Sequence, residues 1–115
     1  MTPLPQASNW AGVPIETVVS GVTRQTVHGA RQTMVRYVYA PGAVFPMHAH
    51  LEEQCTIVIS GRIEFTVDGV QTELGAGGIL VIPANVPHGA RVLGNETVES
   101  FNALSPRRAA NPQIP

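Results

Sequence analysis

Short runs of β-forming residues, separated by Gly, Pro and Asp turn residues, dominate the chain. No segment places apolar residues at i, i+3, i+4 and i+7, the spacing that predicts an amphipathic helix. Asp68-Gly69 predicts a tight hairpin, because a type I′ turn needs positive φ at both central residues. The runs predict strands over residues 33–40, 54–60, 62–67, 70–74, 79–82, 90–93 and 97–104.

Strands this short and this regularly spaced are typical of an all-β sandwich or barrel. A length of 115 residues fits a single domain. We therefore expect one antiparallel β-barrel with almost no helix. Its core is predicted over about residues 22–104, preceded by an N-terminal arm over 1–20 and followed by a tail over 105–115.

The amino-acid composition excludes several classes of function. The net charge of −1 gives no basic patch for nucleic acid or for a membrane surface. The basic residues are seven Arg and no Lys, which excludes Schiff-base chemistry. The single Cys55 has no intramolecular disulfide partner and is predicted to be a buried packing residue. No signal peptide or membrane span is evident, so we expect a cytoplasmic protein.

Three of the four histidines fall in two stretches framed by Gly and Pro. His48 and His50 share one face if the strand is extended, because side chains alternate with period 2. Gln54 keeps that face if the strand continues, and His88 closes the set from a second strand. Imidazoles with an amide oxygen form a ligand set for one divalent metal ion. The alternatives are polar residues in a metal-free barrel and a Gln54 that only hydrogen-bonds inside it.

The first stretch resembles motif 1 of the cupin family, which reads Gly, five residues, His-x-His, three or four residues, Glu, six residues, Gly. Every spacing is met, and Gln replaces Glu. The matching residues are Gly42, His48-Ala49-His50, Gln54 and Gly61.

The second stretch resembles cupin motif 2, which reads Gly, five residues, Pro-x-Gly, two residues, His, three residues, Asn. Asn85 stands where Gly is usual, and Asn tolerates the left-handed backbone conformation better than other non-Gly residues. Val92 stands where Asn is usual. The matching residues are Gly77, Pro83-Ala84-Asn85 and His88.

The resemblance covers roughly residues 32–104 and implies an RmlC-like jelly-roll barrel that forms a homodimer. It implies one divalent ion, with Mn, Fe, Ni or Zn as candidates, held by His48, His50, Gln54 and His88. The Gln variant is similar to a subgroup that includes KdgF-like proteins and polyketide cyclases. KdgF-like proteins tend to end in Asp-x-Phe-Ser-Pro-x-Arg, and here Asn102-Ala103-Leu104-Ser105-Pro106-Arg107-Arg108 stands at that spacing.

The neutral Gln54 leaves the metal centre at a charge of +2, where Glu would leave +1. A more positive ion is a stronger Lewis acid and favours anionic ligands. This favours non-redox proton transfer or ring opening over oxidation.

Five further residues are candidates for catalysis or substrate binding. In the strand before motif 1, either Arg36 or Tyr37 faces inward and supplies a guanidinium or a phenol. Glu52 shares the parity of the ligands as a candidate acid/base group, although a position in a loop facing water is favoured. Asn102 replaces the acid of the KdgF-like ending. Arg108 is either a carboxylate-binding group or a solvated tail residue.

Three functions follow from these observations. The first is a Lewis-acid enzyme that isomerises, cyclises or ring-opens an oxygenated small-molecule substrate. The second is an Fe(II)-dependent dioxygenase, and the third is a non-catalytic small-molecule binding protein. An enzyme of the first class works with Zn or Ni and without oxygen, whereas a dioxygenase needs iron and consumes O₂.

Overall fold

A computed structural model describes residues 5–109 of the chain. The described part contains ten strands and one 3-10 turn, Trp10–Gly12. Within it no helix is long and apolar enough to cross a membrane. The strands are β1 (Glu16–Val19), β2 (Val22–His28), β3 (Thr33–Tyr39), β4 (Val44–His48), β5 (Glu53–Ser60), β6 (Arg62–Val67), β7 (Val70–Leu74), β8 (Ile79–Ile82), β9 (His88–Leu93) and β10 (Val98–Ser105).

The strands form two antiparallel sheets, which confirms the predicted all-β fold. One sheet has six strands in the order β1-β2-β3-β10-β5-β8, and the other has four in the order β4-β9-β6-β7. Apolar side chains from both sheets fill the space between them. This core includes Val22, Val35, Val58, Ile63, Phe65, Ile82, Val98 and Leu104.

Two turns adopt the backbone conformations that the sequence predicts. Asp68 has φ 48° and Gly69 has φ 80°, as the hairpin between β6 and β7 requires. Asn85 has φ 64°, so it supplies the left-handed residue at the position where motif 2 usually has Gly.

The structure also corrects parts of the prediction. The arm over residues 1–20 contains β1, which pairs with β2. Cys55 is exposed, not buried, because it lies on the outer face of the six-stranded sheet. That face also exposes apolar side chains, including those of Met34, Ile79 and Val81. Residues 1–4 of the arm and 110–115 of the tail lie outside the described residues.

Candidate metal centre

The three motif histidines meet at one end of the barrel. His48 ends β4 and pairs with His88, the first residue of β9. His50 lies in the connection between β4 and β5, so the loop, not strand alternation, turns its ring towards the other two. One ring nitrogen from each histidine lies within 4.8 Å of the others. Strand pairing thus positions two candidate ligands, and a short loop adds the third.

Each of these rings has its Nδ1 atom within hydrogen-bond distance of a backbone carbonyl oxygen. The acceptors are Pro46 O at 2.9 Å for His48, Glu52 O at 2.9 Å for His50 and Val86 O at 2.8 Å for His88. A carbonyl oxygen only accepts, so a neutral ring carries its proton on Nδ1 and keeps the Nε2 lone pair free. Metal-binding histidines typically have this arrangement. Among the described residues, the buried Nε2 of His88 has no hydrogen-bond partner.

Gln54 supplies a fourth donor atom, which is an oxygen. Its Oε1 lies 3.0 Å from Nε2 of His50. In the neutral ring both atoms are acceptors, so the contact is unfavourable unless a cation lies beside them. Two ligand atoms about 2.1 Å from one ion and at right angles are about 3.0 Å apart. The donor set therefore fits a divalent ion held by His48, His50, Gln54 and His88.

The electrostatics of the site favour neutral imidazoles. Burial, and then the charges of neighbouring histidines and Arg108, lower the pKa of His48 to about 4, against a backbone hydrogen bond that raises it. Burial also lowers the pKa of His88, with His50 and Arg108 adding to the effect. These rings are thus unprotonated near neutral pH, the state in which imidazole binds metals.

A small cavity of about 10 Å³ adjoins the histidines, and Tyr37, Tyr39, Phe45 and Phe65 are among its lining residues. The tyrosines of β3 therefore face inward, one of the two arrangements that the sequence left open. Burial raises the pKa of Tyr39, although a hydrogen bond with Ser100 opposes this. Tyr37 is 5% exposed and packs edge-on against Phe45, with ring centroids 5.7 Å apart. Its phenol belongs to the wall of the cavity.

Arg36 takes the opposite face of β3. Its guanidinium pairs with Glu99 and donates to Gln25 Oε1 at 2.7 Å. The alternation of side chains along the strand turns it away from the cavity. The structure therefore does not bring Arg36 to the histidines.

Glu52 and Arg108 form a buried ion pair beside the site. Glu52 lies in the loop before β5, as expected, but it is buried, and the expectation that it faces water is wrong. Arg108 Nε donates to Glu52 Oε1 at 2.7 Å, so Arg108 is not a solvated tail residue. The same carboxylate oxygen lies 3.9 Å from His50 Nδ1, behind the ring and away from Nε2. The pair supports the loop that carries His50.

Asn102 lies inside the barrel against Gln54. Gln54 Nε2 donates to Asn102 Oδ1 at 3.3 Å and to Thr56 Oγ1 at 2.9 Å. Thr56 and Ser100 complete this cluster, and neither was predicted from the sequence. Thr56 has the parity of Gln54 and Ser100 has the parity of Asn102, so polar residues recurring at inward positions were the available signal.

Comparison with known families identifies the fold family. The family model described as "Cupin domain" matches residues 35–103, more than half of the chain. The chain belongs to the cupin family.

Two curated relatives come from Bacillus subtilis. An H2HPP isomerase is 36% identical over 84 residues, which cover 72% of this chain and 34% of that protein. A quercetin 2,3-dioxygenase is 35% identical over 57 residues, which cover 49% of this chain and 17% of that protein. The chain thus spans about a third of the first relative and about a sixth of the second.

Solved structures match over nearly the whole chain. An RmlC-like cupin from Shewanella frigidimarina has a TM-score of 0.81 and 28% identity, covering 96% of this chain and 97% of its own. KdgF from Halomonas sp. has a TM-score of 0.78 and 26% identity, covering 90% and 96%. These matches confirm the RmlC-like architecture and the resemblance to KdgF.

Proposed function

We propose that this cupin is a metal-dependent enzyme for a small oxygenated substrate that carries a carbonyl or carboxylate group. The proposed reaction is a non-redox isomerisation, cyclisation or ring opening. The observation that carries the proposal is the donor set, in which three imidazoles and one neutral amide oxygen converge at one end of the barrel. Neutral donors leave the full positive charge of a divalent ion available to an anionic ligand.

An ion held by His48, His50, Gln54 and His88 would supply Lewis acidity, which polarises a substrate oxygen and stabilises negative charge. The other contributions come from the chain itself. Phe45 and Phe65 give the cavity apolar walls, which exclude water and strengthen electrostatic interactions inside it. Tyr37 lines the same cavity, which has room for about one substrate oxygen, and we assign its phenol the role of hydrogen-bond donor or acid towards that oxygen.

We assign supporting roles to the other candidates near the site. The carboxylate of Glu52 is paired with Arg108 and lies on the Nδ1 side of His50. A carboxylate in that position fixes the ring and carries no proton to the Nε2 side. Arg108 holds Glu52 in place.

The isomerase among the relatives supports the non-redox reaction, and the quercetin dioxygenase supports an alternative. That alternative is an Fe(II)-dependent dioxygenase at the same site. The Gln54 amide favours the first, because a carboxylate ligand would better stabilise a higher oxidation state of the metal. A binding protein without catalysis is the third possibility.

The test is turnover by metal-stripped protein reloaded separately with Mn²⁺, Fe²⁺, Ni²⁺ or Zn²⁺, assayed on a panel of unsaturated uronates and 2-oxo acids. We expect product formation with Zn²⁺ or Ni²⁺ under anaerobic conditions. Turnover with iron only, together with O₂ uptake at an oxygen electrode, would support the dioxygenase instead. Saturable substrate binding without product under every condition would support the binding protein.

We also propose that the chain forms a homodimer through the outer face of the six-stranded sheet. Ile79 on this face is 69% exposed and Val81 is 54% exposed, both on the edge strand β8. An apolar sheet face of this kind is typical of a surface that another protein covers. The single cysteine, Cys55, has no disulfide partner within the chain, which fits a reducing compartment, and we propose that the protein is cytoplasmic.

A further inference from the structure

A connected group of polar side chains lies inside the barrel, next to the candidate metal centre. Its members are Gln54 and Thr56 on β5 and Ser100 and Asn102 on β10, and none is more than 7% exposed. Thr56 and Asn102 are paired across the two strands, and Asn102 is also paired with Val35 on β3. Polar groups this deep must be hydrogen-bonded, so the direction of each bond is constrained by its neighbours.

The direction of these hydrogen bonds is set where the polar group contacts β3, because the partner there is a backbone carbonyl oxygen. Val35 O only accepts, so the amide nitrogen of Asn102 must face it, and this bond is 3.1 Å long. The same nitrogen donates to Ser100 Oγ at 3.0 Å. The amide of Asn102 therefore has one orientation, with Oδ1 turned towards β5.

The orientation of the Asn102 amide determines that of the Gln54 amide, because Thr56 is hydrogen-bonded to both. The hydroxyl of Thr56 donates its only proton to Asn102 Oδ1 at 2.7 Å, so its oxygen accepts from Gln54 Nε2 at 2.9 Å. Asn102 Oδ1 lies 3.3 Å from the same Gln54 nitrogen and also accepts from it. The nitrogen of the Gln54 amide is thereby held inside the barrel, and its oxygen is left facing His50.

The opposite orientation of Gln54 would suit the histidine better in the absence of a cation. Its NH₂ group would then donate to the free Nε2 of His50, but Asn102 Oδ1 would lose the Gln54 donor and face a second acceptor. The network therefore selects the orientation that, beside a neutral His50 ring with its proton on Nδ1, gives an acceptor pair 3.0 Å apart, and a cation bound between the two atoms satisfies both.

We infer that Asn102 is a positioning residue that turns the Gln54 oxygen towards the metal. The Val35 carbonyl fixes the orientation of the Asn102 amide, and Asn102 together with Thr56 then fixes the orientation of the Gln54 amide. The inference rests on the proposed metal site. It gives Asn102 a role different from that of a substrate proton donor, because all its polar atoms are bonded within the barrel. Ligands held by partners of this kind typically lose 10- to 100-fold in metal affinity, roughly, when the partner is removed.

The experiment is a titration of metal-stripped protein with Co²⁺, followed by visible absorption, which reports both affinity and ligand geometry. We expect Asn102→Leu to weaken Co²⁺ binding by about 10- to 100-fold and to shift the spectrum in the same direction as Gln54→Ala. In the Gln54→Ala background, Asn102→Leu should change the affinity by less than about twofold, because its effect passes through the amide. An equal loss in both backgrounds would mean that Asn102 acts through packing, and the inference would be wrong.

A matched pair at Thr56 keeps the test valid if Asn102→Leu does not fold. Thr56→Val keeps the shape and removes the hydroxyl, so it should weaken Co²⁺ binding by about tenfold, whereas Thr56→Ser keeps the hydroxyl and should stay within about twofold. Equal affinities for these two variants would overturn the inference. His88→Ala separates the two proposals. If His88→Ala loses Co²⁺ binding while Asn102→Leu and Thr56→Val bind with wild-type affinity, the metal site is supported and only the positioning role of Asn102 is wrong. A wild-type protein that binds no Co²⁺ removes both.

Discussion

On β5, the inward side chains of Gln54 and Thr56 are polar and buried, whereas the outward side chains of Ile57 and Ile59 are apolar and each 38% exposed. Farther along the same inward face, Val58 is apolar and belongs to the hydrophobic core. The polar part of the inner face thus lies next to the histidines.

This difference between the two faces has a physical reason. Buried polar groups cost free energy unless they are hydrogen-bonded, and apolar side chains gain by leaving water. The inner face retains polar groups where they hold a ligand, and the outer face retains apolar groups where a second copy covers them in the proposed dimer. Each face can be tested by a substitution whose effect should not spread to the other.

The largest effect is expected from removal of a histidine at the polar end of the inner face. His88→Ala should abolish binding of divalent ions, because it removes one of the converging ring nitrogens. Far-ultraviolet circular dichroism should still show a β-rich fold, since the barrel core does not depend on the ion. Metal content after purification and calorimetric titration measure the change. His28→Ala, outside the histidine cluster, is the control and should bind metal normally.

The next largest effect is expected at the buried Glu52–Arg108 ion pair beside the histidines. Arg108→Met should lower the free energy of unfolding by about 3 kcal/mol, because it leaves the buried carboxylate of Glu52 without its partner. Urea denaturation measures this. Arg62→Met is the control, since the Arg62–Glu73 pair is exposed and should contribute no more than about 1 kcal/mol. Equal losses in the two variants would contradict a buried, structural role for Arg108.

The outer face gives the third prediction. Ile79→Asp should convert the proposed dimer to a monomer, because a charge at a covered apolar interface is not compensated. Light scattering during size-exclusion chromatography should give twice the chain mass for the wild type and the single mass for the variant. Val70→Asp places the same charge at a residue of β7 that is 64% exposed, and it should leave the mass unchanged. A monomeric wild type would show that the apolar outer face is not a homodimer interface.

A smaller effect is expected from Gln54→Glu on the inner face. The substitution should keep metal binding and weaken the affinity for anionic inhibitors such as oxalate by at least about tenfold. A unit charge about 4 Å away contributes up to about 4 kcal/mol at an effective dielectric constant of about 20. Inhibitor titration of the metal-loaded protein measures this, with Gln71→Glu on β7 as the control for net charge. Unchanged anion affinity would contradict the importance of the neutral ligand set.

The smallest effect is on the pH dependence of the metal-free protein. The pKa of His48 is lowered from 6.5 to about 4, chiefly by burial, so the unfolded chain binds more protons than the folded one between these values. The contribution of His48 to stability should therefore fall as the pH drops from about 6.5 to about 4 and level off below. Thermal unfolding in the presence of a chelator measures this. The fall should be shallower in His48→Ala, and an equal fall would assign it to other groups.

The sequence by itself determined seven of the ten described strands and the ligand candidates, whereas β1, β2 and β4 were not predicted. Alternating runs between turn residues predicted strands that the structure contains, and Asp68-Gly69 and Asn85 adopt the predicted positive φ. The spacing of the two motifs selected His48, His50, Gln54 and His88, because these choices depend on residues close together in the chain. Local backbone preferences and short spacings are properties that one segment carries alone.

Only the tertiary structure decided which face of each strand is inside and which distant groups meet. Alternation gave Arg36 and Tyr37 opposite faces but left open which was inward, and packing against the second sheet settled it. Arg108 meets Glu52 across 56 residues of chain. Asn102 meets Gln54 because β10 lies beside β5, a pairing that depends on the order of strands in the sheet. The direction of the Gln54 amide follows from that contact, since a hydrogen-bond network exists only when all its members are assembled.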